Sequence, residues 1–560
     1  MDNYQIADSF SMLAKLCDIH GENSFKSKSY SAAAFAIEKF TTPLSEIPVE
    51  KISSIKGIGT SSAQKIIELL NTGKLKSLDE IILNTPPGIV EMLNIKGIGP
   101  KKINVIWKEM EIESIGELLY ACKENRLKLF KGFGEKTQQN VADSIEFYQM
   151  SRGSFLYSQV IEAAQLIQSY LAKTFPQKRI EITGAFKRQL EVINELEFVI
   201  ENELQEIQKN LQQVEGFQLI ENTDKSLLYN SSTGIKIKIF AATKEDFAST
   251  LLKTSSSPAF IEALKANCEN VAFPVCSSEE ELFTSLGLQY VPAPLREDAD
   301  CVALARTKNI PILISPADVR GIIHSHSNWS DGSNTIEEMA MAAIERGLEY
   351  LVVSDHSKSA FYAQGLHEEK IREQHRYIDE LNNKLAPFRI FKSIESDILN
   401  DGSLDYSNDV LATFDLVIAS VHSNLKMSEE KAMARLLKAI ENPYTTILGH
   451  LTGRLLLSRP GYPVNHDVII DACAANHVVI EVNANPNRLD MDWRHIKKAI
   501  DKGVLISIDP DAHFIEGMDD TLYGVLAAQK AMVTKENNLS SYSLDNFEKF
   551  IAARKSLKKI

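Results

Sequence analysis

Residues 351–356 read Leu-Val-Val-Ser-Asp-His, an apolar run that ends at polar residues able to bind a metal ion. Later stretches repeat this order at 416–422, 446–450 and 504–513. Continuous apolar runs that alternate with helical patterns are typical of parallel strands covered by helices. In a parallel β/α barrel, active-site residues gather at the carboxyl ends of the strands. The sequence from residue 320 onward therefore predicts such a barrel with a site at one mouth.

Six histidines and several carboxylates of this half lie in short clusters, most of them at predicted strand ends. The candidates are His324, His326, Asp331, Asp355, His356, Glu395, His422, His450, Asp511 and His513. One histidine at a strand end is more often a hydrogen-bonded residue than a ligand. This many imidazole and carboxylate groups would satisfy more than one metal ion, which makes metal-assisted hydrolysis the leading interpretation.

Length and composition limit the class of protein. A chain of 560 residues is too long for one hydrophobic core, and about three to five domains are expected. No apolar run is long enough to cross a bilayer, and the cysteines form no C-x-x-C pair, so we expect a cytoplasmic protein with reduced thiols and no membrane contact. The net charge of −14 hides a nearly neutral stretch of the first 150 residues, so DNA is not excluded as a partner.

A glycine-rich segment recurs in the N-terminal third. It reads Ile-Lys-Gly-Ile-Gly at 55–59, the same at 95–99, and Phe-Lys-Gly-Phe-Gly at 130–134. In each copy one helical pattern stops and another begins, so the glycines predict a tight turn with free backbone N–H groups at a helix N-terminus. Such a turn suits a phosphate. A structural helix connection is an equal alternative for one copy, whereas three copies with a lysine each favour phosphate binding.

These segments resemble the helix-hairpin-helix motif of DNA repair proteins, which grips the DNA backbone without reading sequence. Upstream, residues 3–7 and 21–30 resemble the small N-terminal domain of family X DNA polymerases, which binds the 5′ side of a gap. The resemblance implies DNA as the partner, in gapped, nicked or single-stranded form. The residues it implicates in DNA binding are Lys56, Gly57, Gly59, Lys96, Gly97, Gly99, Lys101, Lys102, Gly132 and Gly134.

The middle of the chain resembles the nucleotidyltransferase palm of the same family. Predicted strands at 179–183, 195–200 and 235–240 follow the family's order. The catalytic positions differ: a serine is replaced by Ala185, two aspartates by Glu195 and Glu197, and the third aspartate by Lys238.

These replacements predict that DNA polymerase activity is lost and that the palm does not bind Mg²⁺. A glutamate carries its carboxylate one methylene too far for near-octahedral magnesium. An ammonium group at Lys238 would repel the dication, and an ion pair with Glu195 or Glu197 is expected instead. The next segment, from about 246 to 315, resembles the thumb of the family and completes a DNA-holding scaffold.

The C-terminal half resembles the polymerase and histidinol phosphatase (PHP) domain over nearly all of residues 320–530. The matching runs include His324-Ser325-His326, Asp355-His356-Ser357 and Asp511-Ala512-His513. The resemblance implies up to three ions, Mn²⁺ or Zn²⁺. The ligands would be His324, His326, Glu395 and Asp511 for the first ion, Glu395, His422 and His450 for the second, and Asp331, His356 and His513 for the third.

Four residues are assigned catalytic roles on this basis. Glu395 would bridge two ions, and Asp511 would complete the first site. Arg454 and Lys358 are candidate phosphate clamps, although each could equally be a solvated charge at the rim. No side-chain nucleophile is required, because metal-activated water can attack phosphorus directly.

The expected architecture is therefore multidomain: a helical N-terminus with helix-hairpin-helix motifs, an α+β palm and thumb, and a distorted, TIM-like β/α barrel of the PHP type. The expected domains are residues 1–88, 89–152, 153–245, 246–318 and 319–560, in a chain expected to be monomeric.

Four functions compete. The first is a DNA repair protein of the family X type whose PHP domain hydrolyses DNA from the 3′ end, with 3′-end or abasic-site processing as a further activity. The others are a small-molecule phosphatase resembling histidinol phosphatase, an active family X DNA polymerase, and a DNA-binding scaffold with structural metals. Three hairpins would be pointless for a small phosphomonoester, and a structural site would be closed by four ligands. The first interpretation is therefore preferred.

Overall fold

The computed structural model describes residues 1–40, 42–150, 153–212, 214–232, 234–267 and 273–559. The chain separates into two compact units, residues 1–123 with 127–148, and residues 124–126 with 149–560. The first two predicted domains together correspond to the first unit, and the last three to the second. The predicted division into five domains stays a prediction.

The first unit consists of short helices packed on one hydrophobic core that runs from Ile6 to Ile145. The helices are α1 (Asn3–Ile19), α2 (Ser24–Glu38), α3 (Val49–Ile52), α4 (Thr60–Thr72), α5 (Lys76–Leu83), α6 (Pro87–Glu91), α7 (Pro100–Lys108), α8 (Ile115–Lys123) and α9 (Glu135–Met150). This is the helical N-terminus that the sequence predicts.

The three glycine-rich segments form the same turn. The first glycine of each, Gly57, Gly97 or Gly132, has φ of 95°, 96° or 93°, a left-handed backbone that glycine adopts without strain. The apolar residue after it is buried and anchors the turn to the core, while the second glycine directly precedes α4, α7 or α9. The sequence thus predicts these hairpins correctly, because the glycine pair marks both the turn and the start of the next helix.

The second unit begins with a mixed sheet of the predicted palm type, whose strand order is β2-β4-β7-β6-β5. The elements are β1 (Phe155–Leu156), α10 (Tyr157–Thr174), β2 (Ile180–Thr183), α11 (Gly184–Lys187), β3 (Val192–Ile193), β4 (Glu195–Glu201), α12 (Leu204–Leu211), β5 (Phe217–Asn222), β6 (Ser226–Ser231) and β7 (Lys236–Ala242). A helical segment follows: α13 (Phe247–Thr254), α14 (Pro258–Asn267), α15 (Glu279–Ser285) and α16 (Asp300–Arg306).

The C-terminal part is a seven-stranded parallel sheet with strands in chain order, interleaved with helices. Its elements are β8 (Gly321–Ser325), α17 (Ile336–Glu345), β9 (Tyr350–Val353), α18 (Glu368–Leu385), β10 (Arg389–Asp397), α19 (Asn408–Leu411), β11 (Leu416–Ser420), α20 (Glu429–Glu441), β12 (Ile447–Leu448), α21 (His466–Asn476), β13 (Val479–Asn483), α22 (Trp493–Asp501), β14 (Ile506–Asp509), α23 (Thr521–Gln529) and α24 (Leu544–Lys558).

The two edge strands of this sheet approach each other and nearly close it into a barrel. A parallel bridge joins Ser325 at the end of β8 to Ala512 just after β14. Here the His326 backbone N–H donates to the Ala512 carbonyl at 2.8 Å, and the Ala512 N–H donates to the His324 carbonyl at 3.3 Å. We refer to this junction as the seam. The predicted β/α barrel is confirmed, and its closure involves backbone groups of predicted metal ligands.

No helix among the residues that the structure describes is both long and apolar enough to cross a bilayer.

Close packing of β8 on β9 depends on Gly321. A Cβ atom at this position would lie 2.2 Å from the Tyr350 ring, which is itself fully buried. We expect Gly321→Ala to lower the free energy of unfolding by about 1–3 kcal/mol through overpacking. Thermal and urea unfolding would measure the change. Gly517→Ala is the matched control, because its Cβ would be in ordinary contact at 3.4 Å, and an equal loss in both variants would contradict this explanation.

Candidate metal centre

The predicted ligands meet at the carboxyl ends of the barrel strands. His324 lies in β8 and Glu395 in β10, whereas His356, His422 and His450 follow β9, β11 and β12 within a few residues. The remaining ones lie in loops beyond β8 and β14: His326, Asp331, Asp511 and His513. Parallel strands place their carboxyl ends at one mouth, so residues up to 189 positions apart in sequence become neighbours.

Glu395 lies in the middle of the cluster and is 1% exposed. Its Oε1 is 2.9 Å from His450 Nε2, 3.1 Å from His422 Nε2 and 3.3 Å from His324 Nε2. Its Oε2 is 2.8 Å from His356 Nδ1. Both carboxylate oxygens thus face imidazole nitrogens, which is the arrangement expected of a bridging ligand.

Two further carboxylates extend the cluster on the side of the seam. Asp511 Oδ1 is 3.0 Å from His326 Nε2 and 3.4 Å from His324 Nε2. Asp331 lies farther out, with Oδ2 3.4 Å from His356 Nε2 and Oδ1 3.7 Å from His513 Nε2. The nine predicted ligands therefore form one continuous cluster.

Three groups within the cluster have the spacing of a metal site. They are His326, Asp331, His356 and His513; His324, His326 and Asp511; and His356, Glu395 and His422, with the ligand atoms of each group within 4.8 Å of one another. These groups overlap the three predicted ligand sets. His326 and His356 each belong to two groups here, whereas each belongs to one predicted set. The assignment of individual ligands to individual ions stays a prediction.

The donor set fits divalent metal ions. Several of its buried atoms make no hydrogen bond to any described residue, among them His324 Nε2, Asp331 Oδ2, Glu395 Oε2 and His513 Nε2. Buried polar atoms are almost always satisfied, so such a concentration at one point indicates a missing partner. A mixture of imidazole and carboxylate suits Mn²⁺, Zn²⁺ or Fe²⁺. The residues present therefore fit metal ions, without identifying the metal.

Electrostatics keep the carboxylates charged despite their burial. Burial alone would raise the pKa of Glu395, but the imidazoles of His422, His324 and His356 hold it well below its usual range. Burial likewise opposes ionisation of Asp511, and His324 and His326 reverse this effect, so its pKa is also well below the usual range. Carboxylates that remain ionised in a buried site are ready to bind cations.

Two of the predicted ligands have an unusual backbone. His324 and Asp511 have φ of 60° and 55°, in the left-handed region that side chains other than glycine rarely adopt. Such strain persists only where the surroundings impose it and is concentrated at functional sites. At the seam the hydrogen bonds through Ala512 impose it, and both side chains consequently face the cluster.

A second layer of carboxylates orients the histidines, and the sequence did not reveal its role. Glu481 Oε2 lies 2.6 Å from His324 Nδ1, and its Oε1 accepts from the His450 backbone N–H at 2.9 Å. Asp397 forms a short hydrogen bond with His422 Nδ1. The contacts to Nδ1 of His324 and His422 fix one ring nitrogen so that the other, Nε2, faces Glu395. Asp397 ends β10 whereas Glu481 lies in the middle of β13, so no shared position along the strand indicates their role.

Asp355 belongs to neither layer, although its position after β9 made it a candidate. It accepts hydrogen bonds from Ser327 N and Oγ at 2.7 Å, from Ser330 Oγ and from Gln374. The carboxylate therefore holds the loop that carries Asp331. Its role in this structure is to support a ligand loop.

The two predicted phosphate clamps are engaged with the protein. The Arg454 guanidinium donates to the Arg488 carbonyl at 2.9 Å and also contacts Asp492 and the Leu489 carbonyl. Lys358 Nζ lies 2.7 Å from Glu368 Oε1. Either cation would have to exchange these partners to bind a phosphate. Their roles as clamps stay predictions.

The four palm residues that the sequence singles out lie on or beside β4 and β7, and their role stays a prediction. Glu197 and Lys238 face each other across the parallel pair of β4 and β7, and Lys238 Nζ lies 4.0 Å from Glu195 Oε1. The Ala185 backbone N–H donates to Glu197 Oε1 at 3.3 Å. Burial raises the pKa of Glu197, and Glu195 raises it further, so this carboxyl holds its proton more tightly than usual. No group of three metal-ligand side chains occurs here among the described residues.

The predicted DNA-binding residues lie at the hairpin turns. Lys56, Lys96 and Lys101 are exposed, as are the turn glycines. Lys102 is half-buried: its Nζ donates to the Gly97 carbonyl at 3.3 Å and lies 5.5 Å from the centre of the Phe133 ring. The exposed lysines and turn N–H groups are thus free to face solvent, while their contact with DNA stays a prediction.

Helix-hairpin-helix turns, a nucleotidyltransferase-like sheet and a barrel with a buried histidine and carboxylate centre together define a multidomain, metal-dependent phosphoesterase. Residues 1–75 match the helix-hairpin-helix domain family, and residues 89–146 match the SAM-like helix-hairpin-helix tandem family.

Comparison with known proteins identifies the family. The DNA polymerase/3′-5′ exonuclease PolX of Bacillus subtilis (strain 168) is 32% identical over 96% of this chain and 97% of its own length. A probable phosphatase of Thermoanaerobacter sp. (strain X514) is 28% identical over 34% of this chain and 77% of its own. One from Vibrio parahaemolyticus is 28% identical over 41% and 92%, respectively. The chain belongs to the PolX family, the bacterial family X DNA polymerases with a C-terminal PHP domain.

We expect Glu481→Gln to weaken metal binding about 10–100-fold, because His324 loses the carboxylate that fixes its ring. Electron paramagnetic resonance of free Mn²⁺ would measure the affinity. Glu349→Gln is the matched control: this carboxylate precedes β9 at the opposite end of the barrel and pairs with Arg320 at 2.6 Å. A folded Glu481→Gln protein with unchanged Mn²⁺ affinity would show that the contact is dispensable.

Proposed function

We propose that this protein hydrolyses DNA phosphodiesters from the 3′ end at the barrel centre and that its palm has lost polymerase activity. The observation that carries the proposal is the buried cluster around Glu395, where both carboxylate oxygens meet imidazole nitrogens within 3.3 Å. A centre with so many donors around one bridging carboxylate suits several ions, as phosphoester hydrolysis commonly requires.

The side chains at the barrel mouth have different roles in the proposed hydrolysis. Glu395 and Asp511 would supply the negative charge that holds the cations at the barrel mouth, and Glu481 and Asp397 orient His324 and His422 towards Glu395. Divalent ions, Mn²⁺ or Zn²⁺, would supply an activated water and neutralise charge on the phosphate. Asp331, His356 and His513 would hold a third ion on the side of the seam.

The hairpins supply the argument for DNA as the substrate. Three turns with outward N–H groups and lysines can bind successive phosphates of a DNA strand without regard to sequence. Gapped or nicked duplexes and single-stranded ends fit this mode, with trimming of 3′ blocks or abasic sites as a further activity. The name of the Bacillus relative, which includes 3′-5′ exonuclease, supports this polarity. We propose a monomer that acts on DNA in the cytoplasm.

The positions of charged side chains in the palm support the loss of polymerase activity. Lys238 carries its ammonium into the place where a metal-binding carboxylate would be required, and its 4.0 Å distance to Glu195 allows an ion pair. Two cations at the end of α11 also have acidic partners. Lys187 lies 3.3 Å from Glu279, and Arg188 pairs with Glu297. Groups that could bind a triphosphate are thus paired with acids of the following helical segment.

The nuclease proposal predicts Mn²⁺-dependent digestion of end-labelled single-stranded and gapped DNA from the 3′ end. We expect His326→Ala and Asp511→Asn to reduce the rate at least about 100-fold, since loss of an outer-layer partner alone costs 10–100-fold. Gel analysis of the labelled products measures rate and polarity.

His466→Ala is the matched control, because this histidine begins α21 and lies outside the centre. Digestion that survives both ligand substitutions would refute the assigned site. Turnover of histidinol phosphate without any DNA cleavage would instead favour a small-molecule phosphatase, which the probable phosphatases among the relatives make the second candidate.

The palm proposal predicts no primer extension with Mg²⁺ or Mn²⁺ at deoxynucleotide concentrations that saturate ordinary polymerases. To prevent degradation from hiding incorporation, the assay would use the Asp511→Asn protein. Robust extension that disappears in an additional Glu195→Ala variant would show that the palm is active and the proposal wrong.

A further inference from the structure

A cavity lies at the opposite end of the barrel from the metal centre. Its volume is about 130 Å³, and it is enclosed by the segment that leads into β11, the start of β12 and the last turns of α24. The residues that matter here are Phe414, Asp415, Tyr444, Thr446, Arg554 and Lys555. The amino ends of barrel strands ordinarily serve stability, so a charged cavity there is unexpected.

Arg554 is a buried cation that pairs with no acid among the described residues. The residue is only 6% exposed. The guanidinium donates to the Pro443 carbonyl at 3.2 Å and to the Thr445 carbonyl, while its Nε makes no hydrogen bond to any described residue. Within the described part of the chain, no carboxylate oxygen lies within 4.0 Å of it. Burial of an unpaired charge costs several kcal/mol.

Two other buried arginines show how the protein compensates such a charge, although Arg296 also leaves Nη2 without a hydrogen bond to any described residue. Arg296 is fully buried and contacts the Glu279 carboxylate at 2.5 Å. Arg435 is 3% exposed, and all three of its nitrogens donate to carbonyl or hydroxyl oxygens of Ile398, Leu399 and Ser423. Arg554 pairs with no carboxylate among the described residues, its Nε makes no hydrogen bond to any of them, and it differs from both arginines in lining a cavity.

The charge around the cavity is positive. Lys555 adds a second cation, whose Nζ donates to the Phe414 carbonyl at 2.8 Å. Asp415 is the opposing acid, and its Oδ2 accepts from the Lys392 backbone N–H at 2.9 Å. Burial lowers the pKa of Arg554 to about 10. Two cations against one acid leave an excess that a bound anion would balance.

We propose that this cavity binds a small tetrahedral oxyanion, inorganic phosphate. The planar guanidinium fork of Arg554 has N–H groups to spare and matches phosphate geometry, while Lys555 adds a second cation to the lining. An engineered cavity of about 150 Å³ holds benzene. The volume here therefore accommodates phosphate but not a nucleoside. The site is independent of the proposed nuclease reaction, because it lies at the other end of the strands.

Equilibrium dialysis of radiolabelled inorganic phosphate against the full-length protein, stripped of metal with a chelator, tests the proposal. We expect one phosphate per chain to bind without metal. Arg554→Met should weaken this binding at least tenfold, and the substitution is compatible with folding because apolar replacements of buried charges are often neutral. Lys555→Met should weaken it severalfold and provides an independent test should Arg554→Met fail to fold.

Two controls separate this site from others. Lys549→Met, which removes an exposed cation of α24 paired with Asp545, should leave binding unchanged, and so should Asp511→Asn at the metal centre. Unchanged phosphate affinity in both cavity variants would overturn the proposal, as would the absence of metal-independent binding. Equal competition by thymidine 5′-monophosphate would overturn the assignment to free phosphate, because a nucleotide exceeds the cavity.

Discussion

The burial of the Glu395 carboxylate among imidazoles is the constraint on which the rest of the barrel depends. An isolated carboxylate in this position would be neutral, because desolvation disfavours its charge. It remains ionised only because histidines from several strands converge on it. That convergence requires parallel strands whose carboxyl ends coincide, and the strands in turn require the helices that cover their outer faces. The second layer, Glu481 and Asp397, keeps the imidazole rings of His324 and His422 facing Glu395.

Much of the fold and part of the site could be predicted from sequence, for identifiable reasons. An apolar run that ends in histidine or aspartate indicates both a parallel strand and a candidate ligand at its carboxyl end. The same few residues therefore predicted the barrel and its candidate ligands. Glycine pairs marked the hairpins because a left-handed turn has few other residues available to it. The second-layer carboxylates were missed because each contacts a histidine that is distant in sequence. His324 and Glu481 lie 157 positions apart, and nothing near either residue indicates the other. The sequence predicts Arg454 as a phosphate clamp or, equally, a solvated rim charge, because its partners at 488–492 come together with it only in the folded barrel.

The palm illustrates a different limit. Lys238 stands where the family has its third aspartate, and the sequence predicts an ion pair with Glu195 or Glu197. Lys238 Nζ lies 4.0 Å from Glu195 Oε1. What the sequence could not indicate is how the neighbouring cations are used. Lys187 and Arg188 pair with acids from the following helical segment, about 90 or more positions away. Two cations beside this sheet thus form ion pairs with the following helical segment.

The seam has a consequence for the protein's lifetime. Edge strands β8 and β14 are joined through Ala512, which lies between two candidate ligands and bonds to the backbone of two more. Ion binding would therefore hold β8 and β14 together at the place where the barrel nearly closes. A ligand present at 100 times its dissociation constant adds about 2.7 kcal/mol to stability. Scarcity of the metal would then do more than slow turnover: it would expose the chain to local opening and proteolysis, so that cellular metal supply would set the abundance of the protein as well as its activity.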